Sequence, residues 1–201
     1  MMEHLLTTDQ YIFLFFNSLH CAWADFFFYW VSNRFIWIPF YALLAFFLIR
    51  KWKKKSIPII IALIIGIFLT DQSCNLIKRS VQRPRPSHEP GLCEQVHLVA
   101  KPDGTLYKGG PYGFPSSHAA NSMFLALFVI FFVGEKRKGL FVIGMTLWVL
   151  MLSYSRIYLG VHYPSDLMAG WLVGGCWAVI VWRIYVRLSA RLMSPTGHHC
   201  P

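Results

Sequence analysis

Apolar residues in this chain gather in long runs separated by short polar breaks. Five stretches, Phe35–Ile49, Ile57–Leu76, Ala119–Val133, Leu140–Tyr154 and Leu167–Val186, read as membrane helices. A membrane helix needs about 20 largely apolar residues, so the shorter stretches span only with their flanks. The aromatic stretch Gln10–Val31 also holds Asn17, His20 and Asp25. An acid at mid-membrane is costly, and Trp and Tyr suit the headgroup zone. This stretch therefore predicts one or two interfacial helices, with a sixth span as the alternative. The expected architecture is all-α: a polytopic membrane helix bundle of five to six transmembrane helices with N-terminal interfacial helices.

The polar breaks sort by charge. Arg50, Lys51, Lys53, Lys54 and Lys55 form one basic loop, and Lys136, Arg137 and Lys138 form another; Arg183, Arg187 and Arg191 follow the last apolar run. Threading five spans puts all three groups on one side, eleven of the 19 basic residues. The positive-inside rule assigns that side to the cytoplasm. The other side receives 78–117 and 155–165, and a loop as long as the first of these is usually functional or disordered.

Composition strengthens the membrane reading. The chain has 201 residues, enough for one domain over 1–201. It is 56% hydrophobic and 17% aromatic but only 14% charged, where a soluble domain carries about 25%. The net charge of +10 is explained by the clusters between apolar runs, so a nucleic-acid partner is not expected. Cys21, Cys74, Cys93, Cys176 and Cys200 form no CxxC pair and no zinc framework; a bridge between Cys74 and Cys93 stays open. Residues 1–9 lack a basic segment, so no cleavable signal peptide is predicted.

Three polar clusters then fall on the same membrane face. They are Lys78 to Pro86, the segment Pro115-Ser116-Ser117-His118, and Ser155-Arg156 with His162 and Asp166. A phosphate group needs fixed cations and N–H donors around its oxygens. Lys78, Arg85 and Arg156 supply charge, and arginine can grip two oxygens at once. The Pro-Ser-Ser-His segment opens a helix whose first N–H groups and dipole suit an anion. Two histidines can divide the work of nucleophile and acid, and Asp166 can fix the tautomer of one of them.

Each residue also has a plainer role. Lys78, Arg79, Arg83 and Arg85 could anchor spans at headgroups, but they lie on the face that the positive-inside rule should deplete. Arg79 keeps the anchor reading, and Arg83 is open to either. Ser116 suits a helix N-cap, which is compatible with phosphate binding at the same helix end. Asp166 could be a first-turn acid behind Pro164. His88 and His97 fall in the long outer loop, and His198, His199 and Cys200 in a polar tail; none is assigned chemistry.

The spacings in these clusters resemble the type 2 phosphatidic acid phosphatase superfamily, which includes the vanadium haloperoxidases. Its signatures are Lys-x6-Arg-Pro, Pro-Ser-Gly-His and Ser-Arg-x5-His-x3-Asp. The chain carries Lys78 with Arg85-Pro86, then Pro115, Ser116 and His118, then Ser155-Arg156, His162 and Asp166 at those spacings. One departure is Ser117, where the pattern has Gly. The resemblance implies a metal-independent phosphatase without a cofactor. His162 is then the nucleophile that becomes a phosphohistidine, His118 the acid that protonates the leaving oxygen, and Asp166 the partner of His162. Lys78, Arg85, Ser116, Ser117 and Arg156 hold the phosphate.

The expected partner is a membrane lipid phosphate or diphosphate within the bilayer, with undecaprenyl diphosphate ranked first and lipid A second. Phosphatidylglycerol phosphate, phosphatidate, phosphoryl transfer to another acceptor and non-catalytic lipid binding or transport are the alternatives. The expected location is a bacterial inner membrane, with the site facing the periplasm or exterior. The motifs read the phosphate and not the tail, and leave the oligomeric state open.

Overall fold

The computed structural model describes residues 2–133 and 138–193. Lys136 and Arg137 of the second basic loop, and His198, His199 and Cys200 of the tail, lie outside the described residues. Among the described residues seven α-helices follow one another: α1 (Met2–Asn17), α2 (Ala22–Val31), α3 (Ile38–Trp52), α4 (Ser56–Val81), α5 (Ser117–Ile130), α6 (Lys138–Tyr158) and α7 (Pro164–Met193). Among the described residues the only β pairing is two isolated bridges, Pro84 with Tyr112 and Ala100 with Leu106. The protein is an all-helical membrane bundle.

Among the described residues three helical stretches are long and apolar enough to cross a membrane, 34–81, 138–158 and 164–191; a fourth is counted if the pair α1 and α2, bent by 114°, is one broken span. The first stretch contains two helices, α3 and α4. They part at the lysine turn, where Lys53 adopts φ 50°. The five predicted apolar runs thus correspond to α3 through α7, α5 being a short apolar helix of 14 residues. Ile57, Ile61, Ile64, Phe68, Leu140, Leu147 and Leu172 point outward and are exposed, as side chains facing hydrocarbon are.

Local chemistry sets the helix ends that carry the site. Gln82 closes α4 in the left-handed region, its N–H bonded to Lys78 O, and Pro84 and Pro86 prevent the helix from continuing. Ser116 caps α5. Gly160, at φ 72°, ends α6 against Val96 and Leu98 of the outer loop. Pro164 opens α7 with Asp166 in its first turn.

Close packing fixes these ends relative to one another. A Cβ on Gly174 would fall 2.1 Å from Ala120 O, and one on Gly170 would fall 2.6 Å from Ser116 O. α7 therefore lies directly on the backbone of α5, a small-residue contact spaced by four that suits helices in lipid. The lysine turn and Arg183, Arg187 and Arg191 gather at the end of the bundle opposite the helix ends that carry Lys78, Ser116 and Asp166.

The N-terminal helices pack on the site end. Asn17 donates from Nδ2 to Tyr158 O at 2.9 Å and accepts from His97 N–H at 2.8 Å. Asp25 receives Tyr158 OH at 2.6 Å and lies 2.8 Å from His97 Nε2. The polar residues that weaken Gln10–Val31 as a span thus have partners in the outer loop and α6. Cys74 is buried in α4 while Cys93 is exposed, and both are free thiols.

Candidate active site

His162 follows α6 and precedes α7, and is 1% exposed. Its Nδ1 lies 3.3 Å from Asp166 Oδ2, a separation set by four residues of chain across the start of α7. Asp166 is 0% exposed and also accepts the Tyr163 N–H at 3.0 Å and Arg83 Nη1 at 3.0 Å. A carboxylate at Nδ1 holds the proton there and leaves the Nε2 lone pair free. Arg85 Nη1 lies 3.0 Å from that Nε2. Burial, then the charges of Arg85, Arg156 and Lys78, hold His162 well below its ordinary pKa of 6.5, so the ring is neutral at physiological pH.

Arg85 is itself fixed. It donates from Nε to Tyr112 O at 3.1 Å and from Nη1 to Val161 O at 3.0 Å. Gly109 and Gly113 let the outer loop pass this close: a Cβ on Gly109 would meet Arg85 Nη1 at 3.2 Å, and one on Gly113 would meet Asp166 Oδ2 at 2.9 Å.

The facing side is built by α5 and α6. Ser116 is fully buried; its N–H donates to Asp166 O at 2.9 Å and its Oγ accepts the Ala119 N–H at 3.5 Å. Its N–H thus joins α5 to α7, and its Oγ caps α5. The free donors at this helix start are the N–H groups of Ser117 and His118, which have no intrahelical partner. Lys78 donates from Nζ to Ser117 Oγ at 2.6 Å, a contact that glycine at that position could not make. His118 feels the charges of Arg156, Lys78 and Arg85.

Arg156 is 3% exposed and bonds through Nη1 to Ser32 Oγ and, at 3.1 Å, to Tyr107 OH. Its Nε is buried and has no partner among the described residues, a donor suited to an anion. All eight residues singled out in the sequence therefore fall at one end of the bundle: His162, His118, Asp166, Lys78, Arg85, Ser116, Ser117 and Arg156. Among the described residues no three His, Cys, Asp or Glu side chains gather as metal ligands would.

Several neighbours were not legible in the sequence. Arg83, open between two roles there, bridges Asp166 and Asp9 and donates to Ser165 Oγ at 2.6 Å. Asp9 in turn accepts the Ser165 N–H at 3.0 Å. Ser32 and Tyr107 hold Arg156 from the N-terminal helices and the outer loop. Only the Arg83 spacing beside a site motif offered a signal; the others are joined to the site by contacts far apart in sequence.

An all-helical bundle with two histidines, three cations and a helix N-terminus at one end defines a membrane phosphatase. The PAP2 superfamily model matches residues 57–190, and the chain belongs to that family. It is 37% identical over 199 residues to the lipid A 4'-phosphatase of Bacteroides thetaiotaomicron, covering 98% of this chain and 85% of that one. It is 32% identical over 204 residues to the lipid A 4'-phosphatase of Porphyromonas gingivalis, covering 100% and 81%. Among solved structures, the PAP2 type phosphatidylglycerolphosphate phosphatase of Bacillus subtilis superposes with TM-score 0.66 at 16% identity, over 96% of this chain and 90% of that one. Aquifex aeolicus LpxE superposes with TM-score 0.59 at 24% identity, over 86% and 93%. The protein is a phosphatase of lipid phosphates in a membrane.

Proposed function

We propose that the protein removes a phosphate from lipid A by way of a phosphohistidine on His162, at the outer face of a bacterial inner membrane. The observation that carries the mechanism is the environment of His162, with Asp166 at Nδ1 and Arg85 at Nε2. The phosphate takes the place of the Arg85 contact at Nε2, and Arg85 turns its donors to the phosphate oxygens. Nε2 attacks phosphorus, and the bond from phosphorus to the lipid oxygen breaks. His118 gives that oxygen its proton. Asp166 stabilises the imidazolium that forms. Lys78, Arg85, Arg156 and the N–H groups of Ser117 and His118 hold the charge that develops on the phosphoryl oxygens. Water then attacks phosphorus, His118 takes its proton, the bond from phosphorus to Nε2 breaks, and inorganic phosphate leaves.

Supporting the substrate are the two lipid A 4'-phosphatases that match almost the whole chain. An undecaprenyl-diphosphatase of Sulfolobus acidocaldarius matches at 30% identity over 71% of the chain. This reverses the order expected from the sequence, which placed undecaprenyl diphosphate before lipid A. The outward orientation rests on the basic residues at the opposite end of the bundle. The test is phosphate release in detergent from lipid A bisphosphate and from undecaprenyl diphosphate, with acid-labile label sought on the protein. Release from lipid A and label on His162 are expected. Release from undecaprenyl diphosphate alone would overturn the substrate, and turnover without label the intermediate.

A further inference from the structure

A cavity of about 460 Å³ begins at Ser117 and His118 and runs between α3, α4, α5 and α6. Its size is that of a ligand site. Along α5 the wall is His118, Asn121, Ser122 and Leu125, the successive positions of one helix face. Farther from His118 it is apolar, lined by residues such as Leu44, Leu63 and Trp148. The lining also holds Arg34, Tyr41 and Asp71, the last an acid within the apolar run of α4.

The polar groups of this wall divide into engaged and unengaged. Ser117 accepts from Lys78, Ser32 holds Arg156, and Ser122 donates to Ala119 O at 3.1 Å. Among the described residues Asp71 receives only amide donors, Asn75 Nδ2 at 3.0 Å and Asn121 Nδ2 at a long 3.5 Å. Among the described residues it forms no salt bridge. Asn121 Oδ1 is buried and has no partner. The amide cannot be turned over to relieve this, because its oxygen would then face the carboxylate. Asp71 thus lines the cavity as an acceptor, and the carbonyl oxygen of Asn121 beside it is a second acceptor, buried and without a partner among the described residues. An ionisable group inside a membrane bundle that faces a cavity is a candidate for function.

The position of the pair restricts what it can meet. Asn121 is three residues along α5 from His118, about 5 Å at the helical rise. A lipid whose phosphate lies at His118 and His162, and whose tail enters the cavity, passes this pair within a few bonds of the phosphorylated carbon. We infer that Asp71 and Asn121 form a specificity site for a hydrogen-bond donor, a hydroxyl or amide N–H, carried by the lipid next to its phosphate. The inference rests on the reading of the protein as a lipid phosphatase with its phosphate at these histidines. It separates lipids with amide-linked or hydroxylated chains from isoprenoid phosphates and diacylglycerol phosphates, which offer no donor there.

The test compares two defined lipids in detergent micelles. Ceramide 1-phosphate has an amide N–H and a hydroxyl beside the phosphate, whereas phosphatidate has esters at both neighbouring carbons. Relative to the parent, Asp71→Leu and Asn121→Leu are expected to lower kcat/KM for ceramide 1-phosphate about tenfold more than for phosphatidate, the loss of one hydrogen bond to a charged or buried acceptor. Asp71→Asn retains an acceptor and is expected to keep part of the preference. It also serves if the leucine variant does not fold. A structural role alone would lower both lipids equally. Hydrolysis of both lipids with an unchanged ratio in all three variants would overturn this inference alone. Hydrolysis of no lipid phosphate by the parent would overturn the phosphatase reading and this inference with it.

Discussion

The two histidines sit in contrasting surroundings. His162 is enclosed: Asp166 and Arg85 contact its two nitrogens, and Arg83 ties Asp166 to Asp9 and Ser165. Three distant parts of the chain thus fix one imidazole. His118 stands where the 460 Å³ cavity meets a smaller one lined by Tyr29, Ser32, Arg34 and Tyr107. The difference suits the tasks proposed for the two histidines. A nucleophile gains from a fixed tautomer and a fixed direction of attack. An acid that protonates a lipid oxygen must face the space through which the lipid arrives. The enclosed side is therefore expected to tolerate change poorly, and the open side to tolerate it better.

The strongest way to break this comparison is at its centre. His162→Ala should lower phosphate release by roughly four orders of magnitude or more, as loss of a covalent nucleophile does. A folded His162→Ala protein that works within tenfold of the parent would remove the phosphohistidine mechanism. Arg83→Ala comes next. It leaves Asp166 and Asp9 buried together without their shared cation, a change that costs about 3–5 kcal/mol where a buried pair loses one partner. We expect kcat to fall about 100-fold and thermal stability to drop, with Arg83→Lys recovering part of both. If Arg83→Ala retained kcat and raised only KM, Arg83 would be a lipid anchor rather than a positioning residue.

The pH profile tests the enclosure itself. In the proposed mechanism neutral His162 is the nucleophile, and activity is lost as falling pH protonates it. Burial, followed by Arg85, Arg156 and Lys78, lowers its pKa, so the neutral form persists below pH 6.5. The acid limb of kcat/KM should therefore lie below 6.5. An acid limb at or above that value would mean that His162 is more hydrated than its surroundings imply.

How much of this was legible in the sequence differs between the two sides. Apolar runs located α3 through α7 because lipid-facing helices need hydrophobic residues almost continuously. The family resemblance paired His162 with Asp166, and the chain entering α7 brings them to 3.3 Å. The break of 114° between α1 and α2 was not legible, nor was the role of Asn17, His97 and Asp25 in holding that pair to α6. Such contacts join residues about 70 to 140 positions apart. Ser116 shows a different limit. Its place at the helix start was readable, but its N–H bonds Asp166 O because Gly170 lets α7 approach so closely. A hydrogen-bond partner depends on packing depth, which a motif does not encode.

The smaller predictions fall on the open side. Tyr107→Phe removes the hydroxyl that meets Arg156 at 3.1 Å but keeps the ring beside the guanidinium. One neutral partner of a charged group is lost, and kcat/KM should fall about fivefold. An effect near 100-fold would mean that the outer loop is part of the chemistry and not a support for Arg156.

Ser117→Gly should be the mildest. It removes the oxygen that receives Lys78 Nζ at 2.6 Å and restores the residue type usual in this motif. The backbone N–H stays, and phosphate oxygens can replace the lost acceptor for Lys78, so kcat/KM should change by less than about threefold. Ser117→Val makes the decisive pair. It keeps the N–H, removes the hydroxyl and adds branched bulk beside the phosphate. If only the N–H matters, glycine is near the parent and valine is worse through crowding. If both variants fall together by tenfold or more, the Ser117 hydroxyl itself orders Lys78 for catalysis. The open side would then depend on fixed geometry as strictly as the enclosed one, and the contrast between the two histidines would fail.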